Sequence, residues 1–467
     1  MNPLATEWLQ KTLAEKRQAI EQLLAGNPSL DYINLVTTNS IGVVASLGKN
    51  FSYAIFARDS IRVAKDLIET HRELAHDIIL ILAHLQGTKF DNISEEEPGK
   101  IHHEHRSLIF DGQRISKTSE EILRSLQLKW GGKGTDTMTY YGSFDATPLF
   151  VRLVHSYTTH YGNDILQESF KNKDGNTRTV TDSLRAAIDW VSNKLESSEW
   201  GLLEYRRLNP MGIANQVWKD SQTAYLHADG SMANYDNGIA AIELQGYAYD
   251  TLMDALKLFK GDRDTYRWQE QARVILRYTI QHFWMEDYNY FAQGLDRDSA
   301  GNMRQIKSLT SNPGLLLRSG LLRDIEPDIK QKAVKGIVNM ITGPDFLTDG
   351  GIRCRALSHK KYPGFPDYHG SFTTWPKETY EIAKGLHAHG FIEEARNLDN
   401  RVLESVKKSG DFYEFYYVND DASIWYNSHE AIDLIIKAFG SPANMPVPEV
   451  GQAWTISAVL AILHHRS

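Results

Sequence analysis

Apolar residues recur at three-and-four spacing along most of this 467-residue chain, and that periodicity limits what it can fold into. The stretches 5–25, 60–87, 146–162, 180–199, 240–260, 263–285, 326–341, 376–389, 391–408, 427–439 and 452–465 read as amphipathic helices. Strand-like alternation is confined to Tyr32–Thr37, Ile41–Ala45 and Phe412–Val418. Asp59-Ser60 and Asp182-Ser183 stand where helices should start, and Pro148 and Pro376 fall in first turns, where a missing N–H costs nothing. Gly390 separates two helical stretches and can end the first in a left-handed conformation. Between the helices run long segments, 88–145, 201–239, 286–325, 343–375 and 409–426, where Gly, Trp, Tyr, Asp, Glu and His collect. Long connections in a compact domain are usually functional loops. No linker, low-complexity tract or strict repeat divides the chain. The expectation is one all-α domain over 1–467, a toroid of antiparallel helix pairs with its loops at one end, residues 1–40 being an N-terminal helical extension. Two smaller helical domains are the alternative.

Composition narrows the function. Hydrophobic residues at 42% and charged residues at 24% exclude disordered and collagen-like chains. The formal charge is −8 with no basic cluster, so no nucleic-acid partner is expected. The single cysteine, Cys354, excludes an internal disulfide framework and a Cys-based zinc site, and reads as a small core hydrophobe. Met1–Leu23 has no apolar signal region and no run is apolar enough to span a bilayer, so a cytoplasmic protein without a membrane partner is expected. Ten Trp, 22 Tyr and 17 Phe fill cores, and such rings also line sugar clefts, because pyranoses present apolar C–H faces.

Several polar groups carry candidate chemistry. Arg58-Asp59 at a loop-to-helix junction can bind hydroxyls, the guanidinium as a fixed fork of donors and the carboxylate as acceptor, although Asp59 could equally cap the helix. Glu95-Glu96-Glu97 precedes His102-His103-Glu104-His105-Arg106, whose three histidines lack the His-Glu-x-x-His spacing, so a polar substrate-binding wall is preferred over a metal site. Tyr140-Tyr141-Gly142-Ser143-Phe144-Asp145 leads into a helix, with Asp145 as ligand or cap. Asp220 lies between Trp218-Lys219 and Ser221; a carboxyl against an aromatic face has its charged form disfavoured, as a general acid requires. Glu414 stands alone among five aromatics in Phe412–Tyr417. Tyr368–Pro376, containing Trp375, and Gln452–Thr455, containing Trp454, each precede a helix and read equally as core packing. No GxxxxGK[ST], GxGxxG or GxSxG pattern occurs, which argues against nucleotide chemistry and serine hydrolysis; neither cofactor nor metal is expected.

In this order, ARDS (57–60), EEEPGKIHHEHR (95–106), YYGSFDATPLF (140–150), GLLEY (201–205), ANQVWKDS (214–221), ELQGYAY (243–249), LTSNPGLLL (309–317), YHGSFTTWP (368–376) and GQAWT (451–455) give the chain a resemblance. From about residue 40 to its end it resembles the amylo-α-1,6-glucosidase (glycogen-debranching-type) glycoside hydrolases and their relatives, among them mannosylglycerate and glucosylglycerate hydrolases and trehalases. The resemblance implies an (α/α)6 barrel and inverting hydrolysis of α-glucosides or short α-glucan oligosaccharides. It makes Asp220 the acid and Glu414 the base, with Glu449 the competing base. It implies sugar contacts from Arg58, Asp59, His103, Glu104, Arg106, Tyr141, Asp145, Trp218, Lys219, Gln245, Trp375 and Trp454. Two segments depart from the pattern. Tyr413-Glu414-Phe415 replaces Pro-Glu-Leu, and Trp375-Pro376 is followed by Lys377-Glu378 instead of His-Asp. With little chain before residue 40, the N-terminal β-domain of several relatives is expected to be absent, which favours a short α-glucoside or oligosaccharide over glycogen; a small α-glycoside such as glucosylglycerate or mannosylglycerate is the alternative. A non-catalytic oligosaccharide-binding protein on the same barrel, and a sugar epimerase or lyase, are the alternatives from other classes.

Overall fold

The computed structural model describes residues 2–38, 42–359, 368–426 and 446–466. Its helices in the first half are α1 (Pro3–Gln10), α2 (Leu13–Leu24), α3 (Ala57–Asp66), α4 (Arg72–His84), α5 (Lys117–Trp130), α6 (Ala146–Tyr161) and α7 (Val180–Ser197). They continue with α8 (Ile242–Leu258), α9 (Thr265–Phe283), α10 (Gly320–Arg323), α11 (Pro327–Ile341), α12 (Pro376–Ala388), α13 (Ile392–Ser409) and α14 (Ala453–Arg466). The helix expected over 427–439 lies outside the described residues.

Local chemistry divides stretches that read as single helices. Residues 5–25 split because Thr12 starts α2 with a reciprocal capping box to Glu15. Residues 60–87 split at Leu67, whose carbonyl accepts from Thr70 and His71 before α4 begins. Helix α5 falls inside a stretch that reads as loop, because its buried face is only Ser119, Leu123 and Gln127. Tyr32–Leu35, expected as strand, forms a 3-10 turn. Neither Asp stands at the N-cap position itself. Phe56 stands at the α3 N-cap with Asp59 inside the helix, and Thr179 caps α7 through a box with Asp182.

The described residues form two compact units. One runs over Val36–Asp220 and Tyr235–Thr279. Its centre is α6, which packs on α3, α4, α7 and α8. Helix α8 is buried around nearly its whole circumference, so its polar groups need internal partners. Thr251 donates to the Pro148 carbonyl of α6 at 3.2 Å, and Asp250 pairs with Arg152 at 2.6 Å. A small antiparallel sheet joins Ala54–Phe56, Glu104–Ser107 and Thr137–Tyr140, with Phe56 opposite Glu104 and Glu104 opposite Tyr140. Two of its strands run directly into helix starts, Phe56 into α3 and Tyr140 towards α6. That brings Arg58, His103-Glu104 and Tyr141–Asp145 to one edge.

The other unit contains Pro3–Leu35, Ser221–Asn234 and Ile280 onward. Here α12 packs on α13, α14 and the 3-10 segment Asn312–Arg318. The approach is close enough to require glycine: a Cβ on Gly385 would stand 2.5 Å from Leu317 Cβ, and one on Gly314 2.9 Å from Ile382. A second three-stranded sheet pairs Thr373–Thr374 with Tyr416–Val418, and Tyr416–Val418 with Ile424–Trp425. Its first strand feeds α12 through Trp375-Pro376, the proline at the first helical position. The N-terminal helices belong to this unit. Trp8 is buried against Tyr32 and Phe412, and Lys16 donates to Asp411 at 2.6 Å.

Candidate active site

In the first unit the charged residues interlock. Arg58 grips Asp145 as a fork, Nε to Oδ2 at 2.6 Å and one terminal nitrogen to Oδ1 at 3.1 Å. Ser143 donates to the same Oδ1 at 2.7 Å. Asp145 occupies the N-cap position of α6, yet its side chain forgoes the cap for this pairing and is fully buried. The other terminal nitrogen of Arg58 lies 3.8 Å from Asp220, whose side chain is 28% exposed. Asp220 is thus open to a ligand while surrounded by protein. Its removal from water pushes its pKa up to about 6, the nearby Arg58 opposes that rise, and Asp145 and Glu104 add to it. Asp59, one residue along α3, is raised to about 7 by burial against the pull of Arg58 and Arg62.

The Glu-rich and His-rich segment divides into two kinds of residue. His103 and Glu104 sit at the start of the sheet's central strand. Burial, then the charge of Arg58, hold the His103 imidazole well below its usual pKa, so it is neutral near pH 7. Glu104 pairs with Arg106, which also donates to the Asn50 carbonyl at 2.6 Å. The three glutamates upstream are structural. Glu95 accepts from Tyr140, Leu208 N–H and Gln216 at 3.0, 3.1 and 2.6 Å. Glu96 pairs with Lys173 at 2.8 Å and Glu97 with Lys194 at 2.7 Å. Tyr141 spends its hydroxyl on the Leu85 carbonyl at 2.7 Å. Gln245 exchanges two bonds with the Leu203 backbone and donates a third to Ala241, so its amide holds the GLLEY segment in place. Trp218 and Lys219 are both buried, the ammonium 5.4 Å from the indole ring centroid. Among the described residues no group of three His, Cys, Asp or Glu is placed to hold a metal, and no helix is long and apolar enough to cross a membrane.

In the second unit Glu414 sits among aromatics. Its backbone N–H donates to the Glu449 carbonyl at 3.0 Å, and the Glu449 N–H returns a bond to its carboxylate Oε2 at 3.3 Å. Gln452 N–H and Thr455 extend this pairing onto the carbonyls of Phe412 and Tyr413. Glu449 therefore supports Glu414 through its backbone. Tyr368 donates to the other carboxylate oxygen at 2.5 Å. Trp375 is buried, stacks on His369 and Phe415 with centroids 5.0 and 5.2 Å away, and meets Trp454 edge-on at 5.8 Å. Glu378, where the family pattern differs, accepts from Ser311 at 2.7 Å. Sequence reasoning missed Ser143 and Tyr368 as partners of the two carboxyl sites. Their only signal was position inside quoted motifs. It also missed Asp296, a buried carboxylate bound by His227, Arg304 and Asn234 N–H from distant segments.

No family model and no curated protein matches the chain. Solved structures do. The chain shares its fold with glycosidases. A GH63 mannosylglycerate hydrolase from Thermus thermophilus, in complex with glucose, is 13% identical with a TM-score of 0.56 over 97% of this chain and 100% of that one. A wild-type glycosidase is 12% identical with a TM-score of 0.54 over 96% of both chains. A glycosidase variant in complex with glucose is 11% identical, with the same score and coverage. Identities this low speak for architecture, so the site has to be argued from its own chemistry.

Proposed function

We propose that this protein is an inverting glycoside hydrolase on an (α/α)6 barrel, with Asp220 as general acid and Glu414 as general base. Its substrates in this reading are α-linked glucosides or short α-glucan oligosaccharides. The observation that supports it most is Asp220, a partly open carboxyl that keeps its proton to about pH 6 although a guanidinium lies 3.8 Å away. Asp220 protonates the leaving glycosidic oxygen. Glu414 takes a proton from the water that attacks the anomeric carbon from the opposite face. In inverting hydrolases the acid and the base stand about 6.5–9.5 Å apart, leaving room for that water. His103, neutral, and Arg58 offer fixed donors to sugar hydroxyls, and the Trp375 cluster offers apolar faces. A narrower reading, a hydrolase of a small glycoside such as mannosylglycerate or glucosylglycerate, draws on the mannosylglycerate hydrolase that matches along its whole length.

Time-resolved proton NMR of the purified protein tests both. The panel holds maltose, isomaltose, panose, trehalose, glucosylglycerate, mannosylglycerate and a limit dextrin. Prompt release of a β-anomer from an α-linked member is the expected result. Prompt α-anomer would overturn the inverting assignment. Binding without cleavage across the panel would favour a sugar-binding protein.

A further inference from the structure

Arg58 is flanked by carboxylates on two sides, and the two are held differently. Asp145 takes it as a two-bond fork, closed from behind by Ser143 in a fully buried setting. Asp220 meets it only at 3.8 Å, with 28% of its side chain open. A free guanidinium at that range would favour the ionised form of Asp220 and strip an acid of its proton before use. The other charged groups facing Asp220 do not remove that problem. Glu104 is committed to Arg106, and Asp59 faces Arg62 as well as Arg58. The ammonium of Lys219, the chain neighbour, lies by the Trp218 ring.

We propose that Asp145 is a positioning residue for the acid: it neutralises and orients Arg58, so that Asp220 keeps the proton it donates. Both Asp145 oxygens are occupied by protein donors. Asp145 therefore acts through Arg58 and not on the sugar. This deepens the hydrolase reading and rests on Asp220 being the acid.

The test separates the two claims by reading the carboxyl directly. Infrared difference titration of the full-length protein, with Asp220→Asn subtracted to assign the band, gives the Asp220 midpoint without any substrate. Asp145→Asn keeps the shape and removes the charge, so the midpoint moves down by about one to three pH units. Arg58→Gln removes the attracting charge and leaves Asp145, so the midpoint moves up. If Asp145→Asn does not fold, the Arg58→Gln arm still tests the Arg58–Asp220 half of the coupling, and an unmoved midpoint there overturns the proposal. Midpoints that stay put in the folded variants overturn the proposal. With substrate, the alkaline limb of kcat/KM follows the same midpoint, and at pH values above it each unit of downward movement costs about tenfold. Midpoints that move as stated in a protein with no glycosidase turnover would uphold the Asp145–Arg58–Asp220 coupling and overturn the hydrolase reading. Turnover whose alkaline limb ignores Asp145→Asn would do the reverse.

Discussion

The two units build their candidate sites by the same local device and fill them with opposite chemistry. Each uses a three-stranded antiparallel sheet whose strand runs into a helix, Phe56 into α3 in one and Thr374 into α12 in the other. In the first, that edge carries interlocked charges, Arg58 with Asp145 and Arg106 with Glu104. In the second it carries stacked rings around one carboxylate, Glu414. The contrast bears on the proposed roles of acid and base. An acid must resist ionisation, and carboxylates that cancel nearby cations allow that. A base must be aimed, and Glu414 takes neutral donors, Tyr368 O–H and Glu449 N–H.

Removing either carboxyl should have the largest effect and would break the comparison if it did not. Asp220→Asn and Glu414→Gln are each expected to lower kcat/KM by at least roughly 10²–10⁴-fold, measured on whichever glycoside the NMR panel identifies, with circular dichroism unchanged. A Glu414→Gln variant with near-normal turnover would transfer the base role to Glu449. Among the buried cations of the second unit, Lys16 should matter for folding and not for chemistry. Lys16 pairs with Asp411 at 2.6 Å, both side chains largely buried. Lys16→Met should cost about 3 kcal/mol in urea unfolding, because the buried Asp411 carboxyl loses its cation. It should leave kcat/KM within about threefold, an effect far below the change expected from the Asp145→Asn substitution.

The helical character was legible because amphipathic periodicity survives in sequence, as in α6 and α13, whose buried positions follow the apolar stripe. Helix α5 was not, since one buried leucine makes no stripe. The sheets were hard to see because their strands are two to four residues long, too short for alternation to register. At the candidate site, the individual carboxyls draw attention in the sequence through their aromatic or basic neighbours. Their partners could not. Arg58 meets Asp145 across 87 positions and Tyr368 meets Glu414 across 46, distances over which a single sequence carries no pairing information. Nor does a single sequence show that the amide of Gln245, which read as a sugar contact, bonds to the backbone of Leu203 and Ala241.

The raised acids of the first unit should also show in stability. Burial lifts the pKa of Asp220 to about 6 and that of Asp59 to about 7, each from 3.8. Between the unfolded and folded values the native state binds more protons than the unfolded chain, so stability falls as pH rises from about 4 to 7. Asp220→Asn removes its share of that cost. The variant should gain roughly 1–2 kcal/mol over wild type at pH 8, discounted for its partial exposure, and the gain should vanish near pH 4. A gain independent of pH would mean that Asp220 is not held against its charge.

The smallest effect belongs to the base. Tyr368→Phe keeps the ring that meets Trp375 and Phe415 edge-on, and deletes only the donor to Glu414. One such hydrogen bond contributes about 0.5–1.5 kcal/mol, so kcat should fall by about two- to tenfold. If the bond aims the carboxylate at water, KM should hold, because the sugar does not need Tyr368 in order to bind. A rise in KM with unchanged kcat would instead make Tyr368 a substrate contact. Tyr368 would then drop out of what aims Glu414, and the contrast between a charge-tuned acid and a donor-tuned base would narrow to the first unit.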